Sequence, residues 1–218
     1  MSGAGPTLAV VDYGMGNRRS VQKALEHVGA RVSVTRDPVA LAAADGLVVP
    51  GVGAFGAGMA ALSALELLGP IRAAAADGRP VLGICLGMQL LFERSTELGE
   101  TAGIGLLAGE VTRLDPGASG LRIPHIGWSE VRPVRASPLT AALPGGGAFY
   151  HVHSFAARPT DPGDVVATTT YGETFATIVA RGAVMGTQFH PEKSSARGLG
   201  LLAAFCELAA GARRPVRA

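Results

Sequence analysis

The residue best placed to do chemistry is Cys85. It lies in Val81-Leu-Gly-Ile-Cys-Leu-Gly-Met-Gln-Leu-Leu91, an apolar run that reads as a strand passing through Gly83-Ile84-Cys85-Leu86-Gly87 into a helix. A nucleophile between two such glycines, on a strand-to-helix turn, is the elbow that hydrolases build around serine, here carrying a thiol. The turn is sharp and backbone passes close by, which favours glycine on both sides. At a helix N-terminus the dipole and the free N–H groups favour thiolate, the reactive form. The plainer reading of a lone cysteine is a small apolar residue in a core. That reading suits Cys206, in Leu201-Leu-Ala-Ala-Phe-Cys-Glu-Leu208, which has no elbow around it. The paired glycines argue against it at Cys85.

A thiol nucleophile needs a base, and the base needs a third group to fix its tautomer. His190 and Glu192 stand two apart in Val184-Met-Gly-Thr-Gln-Phe-His-Pro-Glu192, which reads as a strand ending at the histidine. Residues two apart on a strand share a side, so the carboxylate can hold the imidazole. Pro191 offers no N–H to a ladder, which suits a strand end. A solvated surface pair is the alternative, and the upstream Cys85 elbow favours a triad of Cys85, His190 and Glu192. Attack on an amide also builds negative charge on its oxygen, which backbone N–H groups stabilise. Leu86, just after the nucleophile, supplies one donor. Pro50-Gly-Val-Gly53, a glycine loop after Leu47-Val-Val49, is the candidate for the other, with Val52 between Gly51 and Gly53. The alternatives are an ordinary turn or a phosphate cradle, although the lysine of a P-loop is missing. His151 and His153 also alternate and raise the question of a metal. They supply two ligands where zinc wants three or four, and no Cys, Asp or Glu lies nearby, so neither metal nor cofactor is expected. His27 and His125 belong to no constellation.

These groups must be held by a scaffold. Leu8-Ala-Val-Val11, Arg31 to Thr35, Leu47 to Val49 and Pro80 to Ile84 read as strands; helical patterns from Asn17 to Gly29, from Asp37-Pro38 and up to Asp77-Gly78 lie between them. Asp37 reads as an N-cap with Pro38 at the first helical position. Leu86 to Arg94 reads as a helix. After Gly105 the texture changes: 111–114, 129–134, 148–155, 165–171, 174–179 and 184–190 read as strands, and Ser194 to Ala210 as a closing helix. The expectation is an α/β fold, an open and mostly parallel sheet with helices on both faces and an antiparallel extension.

With 218 residues the chain is long enough for one domain with a sizeable core, placed at 1–212 with a short tail at 213–218. Apolar residues make up 48% and charged residues 17%, so a globular chain is expected. A net charge of +2, with Arg18-Arg19 and Arg213-Arg214 as the only tight basic clusters, does not suggest a nucleic-acid partner. Two cysteines without a framework suggest a reducing compartment, and the N-terminal segment lacks the pattern of a secretory signal. The uncharged run from Gly46 to Leu65 has the length of a membrane span, but Pro50 and five glycines parse it as strand, loop and helix start. The expected location is the cytoplasm.

Taken together, Gly83-Ile-Cys-Leu-Gly-Met-Gln89 and Gln188-Phe-His-Pro-Glu192 resemble the class I glutamine amidotransferases. Asp12-Tyr-Gly-Met-Gly-Asn17, Pro50-Gly-Val-Gly-Ala-Phe55, Pro124-His-Ile-Gly-Trp128, Tyr150-His-Val-His-Ser154 and Gly186 to Ser194 narrow the resemblance to the glutaminase subunits of imidazole glycerol phosphate synthase. The resemblance runs from about Leu8 to the last helix. It implies glutamine as substrate, with Cys85 attacking the side-chain amide, His190 protonating the leaving ammonia and Gly51, Gly53 and Gln89 helping to hold glutamine. It also implies a cyclase subunit as heterodimeric partner, receiving the ammonia through a tunnel, with Trp128, Tyr150 and Lys193 at the subunit contact. Arg18, where an apolar residue is expected, Gly145 to Gly147 and the tail depart from the pattern.

Overall fold

The computed structural model describes residues 5–117, 120–141 and 143–212. The first half alternates: β1 (Thr7–Val11), α1 (Arg18–His27), β2 (Arg31–Thr35), α2 (Pro38–Ala43), β3 (Gly46–Gly51), α3 (Phe55–Ala64), α4 (Leu68–Ala76), β4 (Val81–Cys85) and α5 (Leu86–Leu90). The second half is β-rich: β5 (Phe92–Ser95), β6 (Thr101–Ala102), β7 (Leu107–Arg113), β8 (His125–Pro133), β9 (Gly147–His153), β10 (Phe155–Pro159), β11 (Val165–Tyr171), β12 (Glu173–Arg181) and β13 (Val184–Thr187), closed by α6 (Ser195–Gly211).

Nine strands form one sheet in the order β2-β1-β3-β4-β13-β12-β11-β8-β9. Pairing is parallel from β2 to β13 and antiparallel from β13 to β9. Alternation along the parallel strands builds a core on each face. Ala9, Val11, Leu47, Val49 and Val81 pack on one side with Leu41, Phe55, Leu62, Ile71 and Leu90 of α2 to α5. Leu8, Val10, Val48, Leu82 and Ile84 pack on the other with Val21, Leu25, Leu201 and Phe205 of α1 and α6. This is the open α/β sheet with an antiparallel extension that the sequence pattern implies. Asp37 caps α2 as expected, its carboxylate accepting the Val39 N–H at 3.0 Å.

Among the described residues no single helix is long and apolar enough to cross a membrane; α3 and α4 would do so only as a pair bent by 91°. The uncharged run at Gly46 is β3, its loop and α3. The expected tail at 213–218 lies outside the described residues.

Three local expectations change. The helix after Cys85 stops at Leu90 instead of running to Arg94, and β5 follows at once. Non-local bonds take its last carbonyls: Ile104 N–H reaches Leu90, Leu106 and Leu107 reach Leu91, Gly105 reaches Phe92 and Gly103 reaches Glu93, at 2.7 to 3.0 Å. A Cβ on Gly103 would lie 2.1 Å from the Phe92 carbonyl oxygen, so this crossing needs glycine there. Next, the strand expected over 148–155 is two strands. β9 pairs with β8 in the large sheet, and after Ser154 the chain passes into a second sheet, β10-β7-β5-β6. Lastly, β13 ends at Thr187, and His190 precedes a 3-10 turn over Pro191–Lys193.

Candidate active site

The ends of β3, β4 and β13 meet at the C-terminal edge of the parallel strands, where open α/β sheets hold their ligands. Cys85 ends β4 and directly precedes α5. Its backbone lies at φ +54°, ψ −112°, a region that costs a residue with a Cβ about 1–3 kcal/mol. Close packing imposes it. A Cβ on Gly83 would stand 2.6 Å from the Gly87 carbonyl, and one on Gly87 only 1.7 Å from the Val49 oxygen. Both elbow glycines thus allow α5 to press against β3 and β4, with the thiol at the rim. The Cys85 sulfur lies 3.9 Å from the Val152 carbonyl and 3.8 Å from the Gln188 amide nitrogen.

His190 and Glu192 come together, but for a different reason from that expected. Both sit at a 3-10 turn with Pro191 in its first position, and the turn brings His190 Nδ1 to 2.8 Å from the Glu192 carboxylate. Both side chains are buried. Burial alone would lower the His190 pKa, but the nearby Cys85 and Glu192 outweigh it and push it up to about 9. At neutral pH the ring is therefore an imidazolium. Its Nε2 is buried and finds no partner at hydrogen-bond geometry, although Cys85 is close enough to raise the ring's pKa. Contacts of this kind commonly tighten only when substrate binds. The segment is tied down on its far side. His190 N–H donates to the Tyr150 carbonyl at 3.0 Å, the Ser194 hydroxyl donates to the His190 carbonyl at 2.7 Å, and Tyr150 N–H donates to the Ser194 oxygen at 3.0 Å.

The Pro50-to-Gly53 loop flanks the elbow, with Gly51 opposite Cys85 in register. Tyr13, buried beneath it, donates its hydroxyl to the Pro50 carbonyl at 2.6 Å. Burial, with Cys85 adding, holds that phenol above its ordinary pKa. Val52, Gly53, Cys85, Leu86, Gln89 and Lys193 all line one cavity of about 400 Å³. Its other walls include Glu97, Val152 and His153. Lys193 also sets its ammonium 5.8 Å from the centre of the Tyr150 ring, and Tyr150 lies across the β8–β9 ladder from exposed Trp128, with ring centres 6.2 Å apart. The three residues expected at a subunit contact therefore form one patch that adjoins the cavity.

A family model described as "Glutamine amidotransferase class-I" matches residues 9–207. The chain is 51% identical to imidazole glycerol phosphate synthase subunit HisH of Moorella thermoacetica, an alignment covering 92% of this chain and 94% of that one. It is 52% identical to the HisH subunit of Symbiobacterium thermophilum, covering 90% and 91%. The chain belongs to the class I glutamine amidotransferases. The fold agrees. A structure titled "Crystal structure of glutamine amidotransferase" superposes with a TM-score of 0.72 at 22% identity, over 93% of this chain and 98% of that one. The PurLQS structure from Thermotoga maritima gives 0.73 at 23%, over 95% and 98%.

Within this class I amidotransferase domain the sequence reading missed several residues. His125 stands in a constellation after all: its ring stacks on Tyr171 at 4.0 Å and on His151 at 4.9 Å, and lies edge-on to His153 at 5.1 Å. Every ring nitrogen of these three histidines has a hydrogen-bond partner. Burial lowers their pKa values to about 4 for His125 and about 3 for His151 and His153, so all are neutral near pH 7. Among the described residues no group of three or more metal-ligating side chains is placed to hold an ion. Glu97 was also missed; it stands in an unremarkable turn and accepts the Phe55 N–H at 2.6 Å from the cavity wall. Cys206 is a buried core residue on α6, as expected, its thiol pushed up to about 11 by burial. Arg18, in place of an apolar residue, pairs with Asp12, which also faces Arg36.

Proposed function

We propose that the chain is the glutaminase subunit of imidazole glycerol phosphate synthase, acting in histidine biosynthesis. It hydrolyses glutamine to glutamate and ammonia. The observation that carries this reading is the strained cysteine at the mouth of a cavity with a buried imidazolium–carboxylate pair beside it. Its HisH relatives at about half identity support the particular pathway.

The cavity wall offers one carboxylate, Glu97, and one ammonium, Lys193, a charge pair suited to the two ends of a free amino acid. Gln89 lines the same wall. The Cys85 thiolate attacks the side-chain amide carbon of glutamine, and the carbonyl electrons move onto oxygen. The Leu86 and Val52 N–H groups stabilise that oxyanion. His190, held by Glu192, gives its Nε2 proton to the departing nitrogen as the C–N bond breaks. Ammonia leaves, and a glutamyl thioester remains. Neutral His190 then takes a proton from water, which adds to the thioester, and collapse of that adduct releases glutamate and the Cys85 thiolate.

The ammonia passes to a cyclase subunit, which forms imidazole glycerol phosphate and aminoimidazole carboxamide ribotide. Trp128, Tyr150 and Lys193 face that partner in a heterodimer. The reading puts the chain in the cytoplasm, in keeping with two unpaired cysteines. The test is ammonia release from glutamine by the wild-type chain and by Cys85→Ala, each with the cyclase. The variant should fold and release none, and normal turnover by it would end the proposal.

A further inference from the structure

Cys85 has a neighbour that the triad does not use. Gln188 is wholly buried, with its Nε2 3.8 Å from the Cys85 sulfur. A side-chain amide can turn either its N–H groups or its oxygen to a neighbour, so the direction has to be earned from the surrounding bonds. Here a backbone carbonyl fixes it. The Phe155 oxygen can only accept, and Gln89 Nε2 lies 2.9 Å away, so the Gln89 nitrogen faces it. The second N–H of that nitrogen goes to Gln188 Oε1 at 3.0 Å. With its oxygen engaged there, Gln188 turns its N–H toward the sulfur.

The anchor itself is fixed. The Phe155 oxygen also accepts from His153 Nδ1 at 2.8 Å, so that nitrogen carries the ring proton. The ring is neutral, so its Nε2 accepts, and His125 Nδ1 at 3.2 Å is the donor. Neutral His125 then offers a bare Nε2 to the Ser129 hydroxyl at 2.7 Å. All these bonds run one way, from Ser129 on β8 to the Phe155 carbonyl, whose two lone pairs are filled. Gln89 could turn over only by breaking two bonds.

We propose that Gln188 is a further catalytic residue, its amide N–H stabilising the Cys85 thiolate, and that Gln89 and His153 are the positioning residues that aim it. The proposal rests on Cys85 being the nucleophile. An N–H donated to an anion is roughly twice as strong as one donated to a neutral group. In the thiol form Cys85 instead has the Val152 carbonyl at 3.9 Å to receive its proton. The Gln188 contact therefore favours thiolate over thiol. It acts beside His190 and Tyr13, the titratable groups coupled to the sulfur, while Glu97, His153 and Lys193 line the same cavity.

The experiment is the pH profile of Cys85 alkylation by iodoacetamide on the full chain without glutamine, with the label assigned by mass spectrometry so that Cys206 is read separately. Gln188→Leu should move the profile up by about one unit, which slows alkylation about tenfold on its acid side. Gln188→Glu should move it further, because a carboxylate cannot donate and repels thiolate. Gln89→Leu should move it the same way by less; with no glutamine present, lost substrate binding cannot account for that. A merely structural role for Gln188 would lower the melting temperature and leave the midpoint where it is. Folded Gln188 variants with the wild-type profile would overturn the proposal. If circular dichroism shows that they do not fold, Gln89→Leu decides alone, and an unchanged profile overturns it. Turnover is not read, so failure of the Cys85→Ala test would be separate and would strike the glutaminase reading instead.

Discussion

His151 gives a test whose sign changes with pH. The residue is fully buried, donates from Nδ1 to the Phe149 carbonyl at 3.0 Å, and accepts the Thr177 hydroxyl at Nε2 at 2.9 Å. Burial first, and then the charges of His153 and His125, lower its pKa to about 3. In the unfolded chain the value returns to about 6.5. A depressed folded pKa contributes stability that is complete above the unfolded value and is lost as pH falls toward the folded one. Between pH 7 and pH 5 that loss is about 1.9 kcal/mol, from roughly 1.4 kcal/mol per unit below the unfolded pKa.

The perturbation is His151→Phe, which keeps a ring among Phe175, Phe189 and His125 and removes the titration. At pH 7 it leaves the buried Thr177 hydroxyl and the Phe149 carbonyl without this partner, a cost of about 1–3 kcal/mol. The variant should therefore be less stable at pH 7. By pH 5 the difference should shrink by about 1.9 kcal/mol, leaving the variant between about 1 kcal/mol behind and about 1 kcal/mol ahead. Guanidinium unfolding of both proteins at pH 7, 6 and 5 measures this. The difference between them is the quantity to follow, because other groups titrate too. His190 runs the opposite way: its raised pKa contributes stability that is complete below about pH 6.5 and fades as pH rises through about 9. A stability difference constant within about 0.5 kcal/mol over this range would refute the claim that folding holds His151 neutral.

Three further outcomes are expected. Glu192→Gln should lower kcat by as much as about 10⁴-fold with little change in KM, because an amide 2.8 Å from His190 Nδ1 cannot stabilise the imidazolium; steady-state kinetics in the cyclase complex decide it, and a change confined to KM would put Glu192 in the substrate pocket. Hydrolysis in the same complex should decline as pH rises through about 9, where His190 loses the proton that the proposed mechanism gives to ammonia; a rate still climbing beyond that would assign the acid elsewhere. The isolated chain should hydrolyse glutamine slowly and be stimulated some hundreds-fold by the cyclase loaded with its nucleotide substrate, the effect of one oxyanion donor worth about 2.7–4 kcal/mol; full activity alone would exclude gating.

The elements carrying Cys85 were legible because their signals are local. The apolar runs of β1, β3 and β4 are buried on both faces, and the elbow glycines are explained by backbone within a few ångströms. What local pattern could not contain was pairing across distance. Leu91 to Arg94 would suit a helix until residues 103–107 arrive to claim the carbonyls. Ser154 looks like part of one strand until two sheets compete for its neighbours. His125 had no partner within a few residues, yet lies 28 positions before the His153 ring it bonds. Gln188 escaped notice for the same reason, since the sulfur it faces is 103 residues away. His190 and Glu192 were paired on a strand argument, whereas a 3-10 turn joins them; spacing of two served both.

Gating by a partner requires that something near Cys85 be free to move, and the bonding narrows where that can be. The elbow is wedged, since neither Gly83 nor Gly87 has room for a Cβ. The His190 turn is stitched to Tyr150 and Ser194, and Gln89 to Phe155 and Gln188. On the loop side, Tyr13 holds the Pro50 carbonyl, which fixes the peptide between Pro50 and Gly51. Gly51 itself is pressed on Tyr13, Leu86 and Gly87, with no space for a side chain. The next peptide, between Gly51 and Val52, carries the proposed oxyanion donor; beyond it Val52 is exposed and Gly53 sits at φ +110°. It is the first of the two peptides that join a clamped residue to a glycine in a backbone conformation that L side chains rarely adopt. Trp128, Tyr150 and Lys193, the proposed seat of the partner, adjoin the rim of the cavity to which Val52 and Gly53 also belong. Such a partner need not rebuild the site. On the proposed reading the partner would turn one peptide, and the bonds that tie the His190 turn and Gln89 on either side of the sulfur hold the rest of the site.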